Sequence, residues 1–244
     1  MKVYEFGNKT SDVVLVQPVD AHDLTLMENE AAAIADNSQL SFKLLAVKVE
    51  NWNTDLSPWK APAVFGKEDF GGVSCDTLAA IMQLCADKSK TYYIGGYSLA
   101  GLFALWAAYQ TDVFSGVAAV SPSVWFPRFK EYVIDRQIQT KAVYLSLGNK
   151  EEKTRNATMA QVGNAIRDIY RHLRDGGTDC VLEWNEGNHF REPDLRTAKG
   201  FQWLLSKNVK RHGEKLSDLE NIKKANSHKD DLKSTRNSRL RVQT

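Results

Sequence analysis

The 244-residue sequence is short of cysteine, of net charge and of long apolar runs, and each shortage removes a class of protein. Its three cysteines, Cys75, Cys85 and Cys180, are an odd set without metal-ligand spacing, which argues against a disulfide framework and against a thiolate metal site. The N-terminal stretch MKVYEFGNKTSDVV has no apolar segment behind Lys2, so the expectation is a cytoplasmic protein in a reducing compartment. No run approaches the roughly 18 apolar residues that a membrane helix needs, so no membrane partner is expected. A formal net charge of +2 is too small to argue for nucleic acid, and its basic excess sits at one end. From Asn208 onward, ten Lys or Arg face five Asp or Glu, which leaves the rest of the chain net negative.

What is present is enough to build a core, with 43% hydrophobic residues and 10% aromatics. One domain is expected over residues 1–207. The stretch 208–244 is polar and lacks Phe, Trp and Tyr, and cannot bury enough surface to offset its ordering entropy. It reads as a disordered tail or one with a loose helix around Ser217 to Ala225. Within the body, strand-like runs alternate with helical ones. Lys2 to Phe6 is a short edge strand, and Asp12 to Val19, Phe42 to Val49, Thr91 onward, Gly116 to Val120, Ala142 to Leu147 and Cys180 to Trp184 are mostly apolar strands. Between them lie helices at Leu24 to Asp36, Thr77 to Ala86, the segment after Ser98, Phe129 to Arg136, Asn156 to Arg174 and Pro193 to Ser206. This alternation predicts an α/β protein with a mostly parallel sheet covered on both faces, whose site lies beyond the carboxyl ends of the strands. The longest irregular region, Asn51 to Asp69, is broken by Pro58 and Pro62, while its Trp52, Trp59 and Phe65 argue for order.

The chemistry converges on strand ends. The stretch TYYIGGYSLAGLFALWAAYQ, Thr91 to Gln110, is strand, sharp turn and apolar helix, with Ser98 at the apex among small neighbours. Such a turn pushes a serine hydroxyl above the sheet edge as a nucleophile, although a bare G-x-S can equally be a turn with a helix cap. Of five histidines, His212 and His228 lie in the tail, His172 lies in a helix, and His22 follows the first strong strand. His189 follows the last strand in a glycine-bearing loop, WNEGNHF, and is the candidate base. Between serine and histidine in chain order, the strand ending near Leu147 runs into GNKEEK, which offers Glu151 or Glu152 as the orienting acid. The same pair would also serve as acidic residues at a solvated helix start. For an oxyanion the donors would be the N–H of Leu99 and one from the Pro18 to His22 loop, Val19 or Asp20, since Pro18 has none.

Taken in order, GYSLAG, SPSVWF, SLGNKEEKTRN and WNEGNHF resemble the α/β-hydrolase fold over about Asp12 to Lys207. Within it they are similar to the esterase group that includes esterase D and the enterochelin (siderophore) esterases. The resemblance implies a three-layer sandwich and hydrolysis of carboxylic esters through an acyl-enzyme on a Ser-His-Glu triad, with no cofactor and no metal. Gly148 followed three residues on by an acid matches a pattern of such enzymes and ranks Glu151 above Glu152. The sequence departs from the pattern at Ala100, where a glycine is usual, and in its QPVDAHD loop. Trp52, Asn53, Trp59, Tyr97, Trp125 and Phe126 are candidates for the walls of a small-molecule ester site, and the aromatics among them are equally good core residues. The short connection between Val120 and Ala142 leaves no room for a large cap, so short acyl or aromatic esters are expected. Rival expectations are a non-catalytic binding or scaffolding protein on the same fold, and a thioesterase or peptidase using the same residues.

Overall fold

The strands form where β-branched and apolar residues run without a polar break. The computed structural model describes residues 1–38 and 40–208. Strands β1 (Lys2–Gly7), β2 (Val13–Val19), β3 (Lys43–Lys48), β6 (Thr91–Tyr97), β7 (Phe114–Val120), β8 (Ala142–Gly148) and β9 (Asp179–Asn185) make one seven-stranded sheet in the order β1-β3-β2-β6-β7-β8-β9. Only β1 runs antiparallel; it pairs with β3 at the edge, and the rest are parallel. A two-residue pair, β4 (Lys60–Ala61) and β5 (Phe70–Gly71), stands apart from this sheet.

Period-two alternation sends neighbouring side chains to opposite faces, and each face has its own core. Val14, Val16, Tyr92, Ile94, Val117 and Ala119 enter the larger core, together with α3 (Ser74–Leu84), α4 (Ser98–Ala107), α5 (Phe129–Ile134) and α6 (Val162–Asp175). Leu15, Tyr93, Ala118 and Val120 enter the other, covered by α1 (Met27–Asp36) and the helix from residue 193, α7. This is the expected three-layer sandwich. Residues 121–141, between β7 and β8, hold α5 and no further domain. Met1–Leu205 packs as one unit, and the tail expected over 208–244, with its helix at Ser217 to Ala225, lies outside the described residues after Asn208. Among the described residues no helix is long and apolar enough to cross a membrane.

Three expected segments differ in detail. The helix expected from Leu24 begins as a 3-10 turn over Asp23–Leu26 before α1. There the Asp20 carboxylate accepts from Asp23 N and the Thr25 hydroxyl donates to the His22 carbonyl, local bonds that compete with an α-helical start. The helix expected from Asn156 likewise starts late, because the Asn156 side chain accepts from Thr158 N and Met159 N and holds a turn. Asn51 to Asp69 is ordered. Asn51 caps a short helix α2 (Trp52–Asp55) by accepting from Thr54 N at 2.7 Å, and β4 and β5 clamp the remainder.

Strand order places the site. The chain winds outward from β2 to β3, then returns and winds the other way from β6 through β9, so the order reverses between β2 and β6. Strand β2 takes in Pro18 and Val19, so beyond the carboxyl ends of these two neighbours lie the loop from Asp20 to His22 and the turn at Ser98, where open α/β sheets leave a crevice.

Candidate active site

Ser98 stands at the junction of β6 and α4 with φ +58°, left-handed backbone that a side-chain-bearing residue adopts only under constraint. The constraint is packing. A Cβ on Gly96 would lie 2.7 Å from the Ala100 Cβ, and one on Gly101 would lie 2.8 Å from the Gly96 carbonyl oxygen and 3.0 Å from that of Val120. Helix α4 is therefore pressed against β6 and β7, and the departure at Ala100 is accommodated because its methyl group faces a glycine. Ser98 is half-buried between buried neighbours, Tyr97 and Leu99.

The hydroxyl meets a hydrogen-bonded chain. Ser98 Oγ is 2.9 Å from His189 Nε2, and His189 Nδ1 is 2.7 Å from Glu151 Oε2. The His189 side chain keeps 26% of its surface exposed, whereas that of Glu151 keeps 5%. The second Glu151 oxygen accepts from the Ser121 hydroxyl at 2.7 Å and from Gly148 N at 2.7 Å. Burial pushes the Glu151 carboxyl up, but the hydrogen bond and charge of His189, with the Ser121 and Gly148 donors, outweigh it and hold the group below its ordinary range. The acid is thus an oriented carboxylate at neutral pH. Glu152, one residue on, turns away and pairs with Arg167 at 3.0 and 3.1 Å.

Several contributors escaped the sequence reading. Arg196 of α7 is 2% exposed and spends its donors on the site: Glu151 Oε1 at 3.4 Å, the Tyr97 hydroxyl at 3.1 Å, and the carbonyls of Asn188 at 3.1 Å and Glu186 at 2.8 Å. It ties the histidine loop to the acid. A signal for it existed, because Arg196 shares the helical spacing of Gly200, Phe201, Leu204 and Leu205 and so falls on the core face. Ser123, from the SPSVWF stretch, is 2% exposed, donates its N–H to the Ser98 carbonyl at 3.0 Å and puts its hydroxyl 3.4 Å from Ser98 Oγ.

The expected wall residues divide. A cavity of about 300 Å³ lies beside His189 and Glu151, with Trp125, Phe190, Met159 and Val162 among its lining. Trp125 is the one wall candidate that reaches it. Tyr97 instead donates its hydroxyl to the His189 carbonyl at 2.8 Å, and burial together with the Glu151 charge pushes its phenol up to about 12, so it stays a neutral donor. The structure does not bring Asn53, Trp59, Phe126 or Trp52 to this cavity. Asn53 bonds to the Glu68 and Ser57 segment, where its carbonyl accepts from the Ser57 hydroxyl at 2.6 Å. Trp59 packs among Phe126, Phe129 and Tyr132 and donates its indole N–H to the Pro127 carbonyl, so aromatic burial claims it. Phe126 is 2% exposed, and Trp52 packs half-buried on the larger core. Val19 ends β2 fully buried, its carbonyl accepting from Val49 N, and Asp20 follows it half-buried. His22 is exposed. Among the described residues no three His, Cys, Asp or Glu side chains are grouped to hold a metal ion.

A reversed-order parallel sheet with a left-handed serine after its central strand, a buried acid after β8 and a histidine after β9 is the α/β-hydrolase fold. Solved structures of that fold superpose on the chain. They include the siderophore hydrolase EstB from Aspergillus nidulans (TM-score 0.61, 16% identity, 80% of this chain and 83% of that one). The enterobactin esterase FES from Shigella flexneri superposes with TM-score 0.56 at 12% identity, over 85% of this chain and 55% of that one. An alpha-beta serine hydrolase homologue from Coxiella burnetii does so with TM-score 0.54 at 15% identity, over 85% of this chain and 90% of that one. No family model and no curated protein sequence matches the chain.

Proposed function

We propose that this protein is a serine hydrolase that cleaves carboxylic esters with short acyl or aromatic groups through an acyl-enzyme. The observation that carries the proposal is the chain Ser98 Oγ, His189 Nε2, His189 Nδ1, Glu151 Oε2, with links of 2.9 and 2.7 Å. Ser98 Oγ attacks the ester carbonyl carbon as its proton passes to His189 Nε2, while Glu151 holds Nδ1–H and balances the imidazolium charge. Collapse of the tetrahedral intermediate breaks the carbonyl carbon to alkoxy oxygen bond, and His189 returns the proton to the leaving alcohol. Water then repeats the two steps on the acyl-enzyme.

The oxyanion is met by the N–H of Leu99, in the first turn of α4 where backbone donors have no helical partner. The second donor comes from Val19 or Asp20, and strand alternation favours Asp20. The Val19 carbonyl faces β3, so the Asp20 N–H, trans to it in the same peptide unit, points toward β6 and the serine. The small cavity and the brief β7 to β8 connection support short or aromatic groups over long acyl chains. Structural neighbours described as siderophore hydrolase, enterobactin esterase and ferulic acid esterase add support for ester chemistry. The partner is then a small ester rather than a nucleic acid or a membrane. Three free thiols at Cys75, Cys85 and Cys180 support a reducing, cytoplasmic setting.

The deciding experiment uses a fluorophosphonate probe, which reacts only with an activated serine. Wild-type protein should label at Ser98 and Ser98→Ala should not. Folded wild type that stays unlabelled would favour a non-catalytic binding protein on the same fold. A panel of oxygen esters, thioesters and peptides separates esterase from thioesterase and peptidase.

A further inference from the structure

The cavity beside His189 combines an apolar lining with two lysines. Its apolar lining comes from Trp125, Met159, Val162 and Phe190, and Phe190 leaves 85% of its surface exposed next to the histidine ring, at 5.6 Å between centroids. Its remaining wall carries Lys150 and Lys153 from the loop after β8. Neither lysine is in an ion pair among the described residues, although acids are near in sequence. Glu152 is held by Arg167, Glu186 and Glu192 are held by Arg191, and Glu151 is held by His189 and Arg196. The acids that would otherwise neutralise the lysines are thus committed elsewhere, and the cavity has an apolar interior under a positive edge.

We infer that this cavity receives the leaving-group half of the ester and selects an aromatic or short apolar group bearing an anionic substituent, such as a carboxylate. The inference rests on the ester hydrolase proposed above and adds the charge of its substrate. His189 is the group that hands a proton to the departing oxygen, so a cavity on the histidine side takes the alcohol portion. A volume of about 300 Å³ holds one ring and a short arm. The ring stacks between Trp125 and Phe190 and its charge meets the lysine ammonium groups. The buried Glu151 does not repel it, because its charge is already balanced by Arg196.

The test compares the acetyl esters of 4-hydroxybenzoate and 4-hydroxybenzamide, which share acyl group and ring and differ in charge. Wild type should show a kcat/KM for the anionic ester higher by roughly fivefold, the size expected of one or two partly exposed charge contacts. The ratio should fall toward one in Lys150→Gln/Lys153→Gln and in salt raised to about 0.5 M. A wild-type ratio of one or below, or a ratio unchanged by the double substitution, overturns the inference. If neither ester is turned over, calorimetry decides it independently. Wild type should bind 4-hydroxybenzoate more tightly than 4-hydroxybenzamide and the double variant should not, whereas fluorophosphonate labelling of Ser98 separately decides whether the protein is a serine hydrolase at all.

Discussion

Arg196 and Glu151 form a buried ion pair, Nη1 to Oε1 at 3.4 Å, with side chains only 3% and 5% exposed, at the acid end of the Ser98 and His189 chain. The guanidinium also holds the carbonyls of Glu186 and Asn188, on either side of the turn that delivers His189. One residue of α7 therefore adds a buried link between two loops that are also joined by Lys150 N donating to the Gly187 carbonyl and Gly187 N donating to Asn149 Oδ1. Arg196→Met should cost about 3 to 5 kcal/mol of stability, because it leaves a buried carboxylate short of a partner. In the fraction that folds, kcat should drop on the order of 100-fold with KM little changed, the signature of misplaced groups. Arg196→Lys keeps the charge but not the fork, and should recover part of the stability and little of the rate. Urea unfolding and steady-state kinetics on the three proteins check this.

At Ser98 the left-handed backbone makes stability and activity pull apart. Ser98→Gly relieves the φ of +58° and should be more stable than Ser98→Ala by about 1 kcal/mol, while both lose probe labelling and esterase activity. Equal stabilities would mean that the backbone at this turn is not strained.

The press of α4 on the sheet predicts sensitivity at two glycines. Gly96→Ala and Gly101→Ala each put a methyl group within 3 Å of neighbouring atoms, and each should destabilise the fold by about 1 to 3 kcal/mol. Gly96→Ala should also move Ser98 and lower kcat. The comparison site is Gly177, where no atom lies within 4 Å of a built Cβ but φ is +81°, so an alanine there carries only a backbone penalty of about 1 kcal/mol.

Away from the site, Glu30 of α1 is 2% exposed and bonded to Gln17 Nε2 at 3.2 Å, while its other oxygen and that of Gln17 have no hydrogen-bond partner among the described residues. Burial pushes the Glu30 carboxyl well above its ordinary range, so a proton there is favoured. Asp23, half-buried and close to Asp20, is pushed up to about 6. For both acids the folded state binds the proton more tightly, so their contribution is full below the unfolded value and is lost as pH rises through the folded one. Glu151 has the opposite sign, contributing at neutral pH and losing its contribution in acid. Glu30→Gln keeps the neutral bonding and should flatten the decline in stability between pH 5 and pH 8, measured by urea unfolding across that range. An unchanged slope would sink the assignment.

How much of this could be read from residues alone follows from the range of the forces involved. Apolar runs and their two and three-to-four residue spacing are local properties, so the strands, most helices and the order serine, acid, histidine were legible, as was the α/β class. The strand-end rule then pointed to Ser98, to Glu151 or Glu152, and to His189, because in a parallel sheet every carboxyl-end loop lands on one edge. Local side-chain bonds at Asp20, Thr25 and Asn156 shifted helix starts without changing the topology.

What required the tertiary structure was everything decided by packing across the chain. Trp52, Trp59 and Phe126 are as suited to a wall as to a core, and only the neighbours that the fold supplies sent them inward while Trp125 reached the cavity. Glu151 and Glu152 are chemically identical in sequence, and the choice between them was made by Arg167 claiming one and the Ser121, Gly148 and His189 groups claiming the other. Helical spacing puts Arg196 on the core face of α7, but only the fold brought it to Glu151 and the histidine loop. Sequence determined which backbone elements form and which loops share the edge; long-range contacts, which no local pattern encodes, determined which side chains face that edge and which charges are left free beside it.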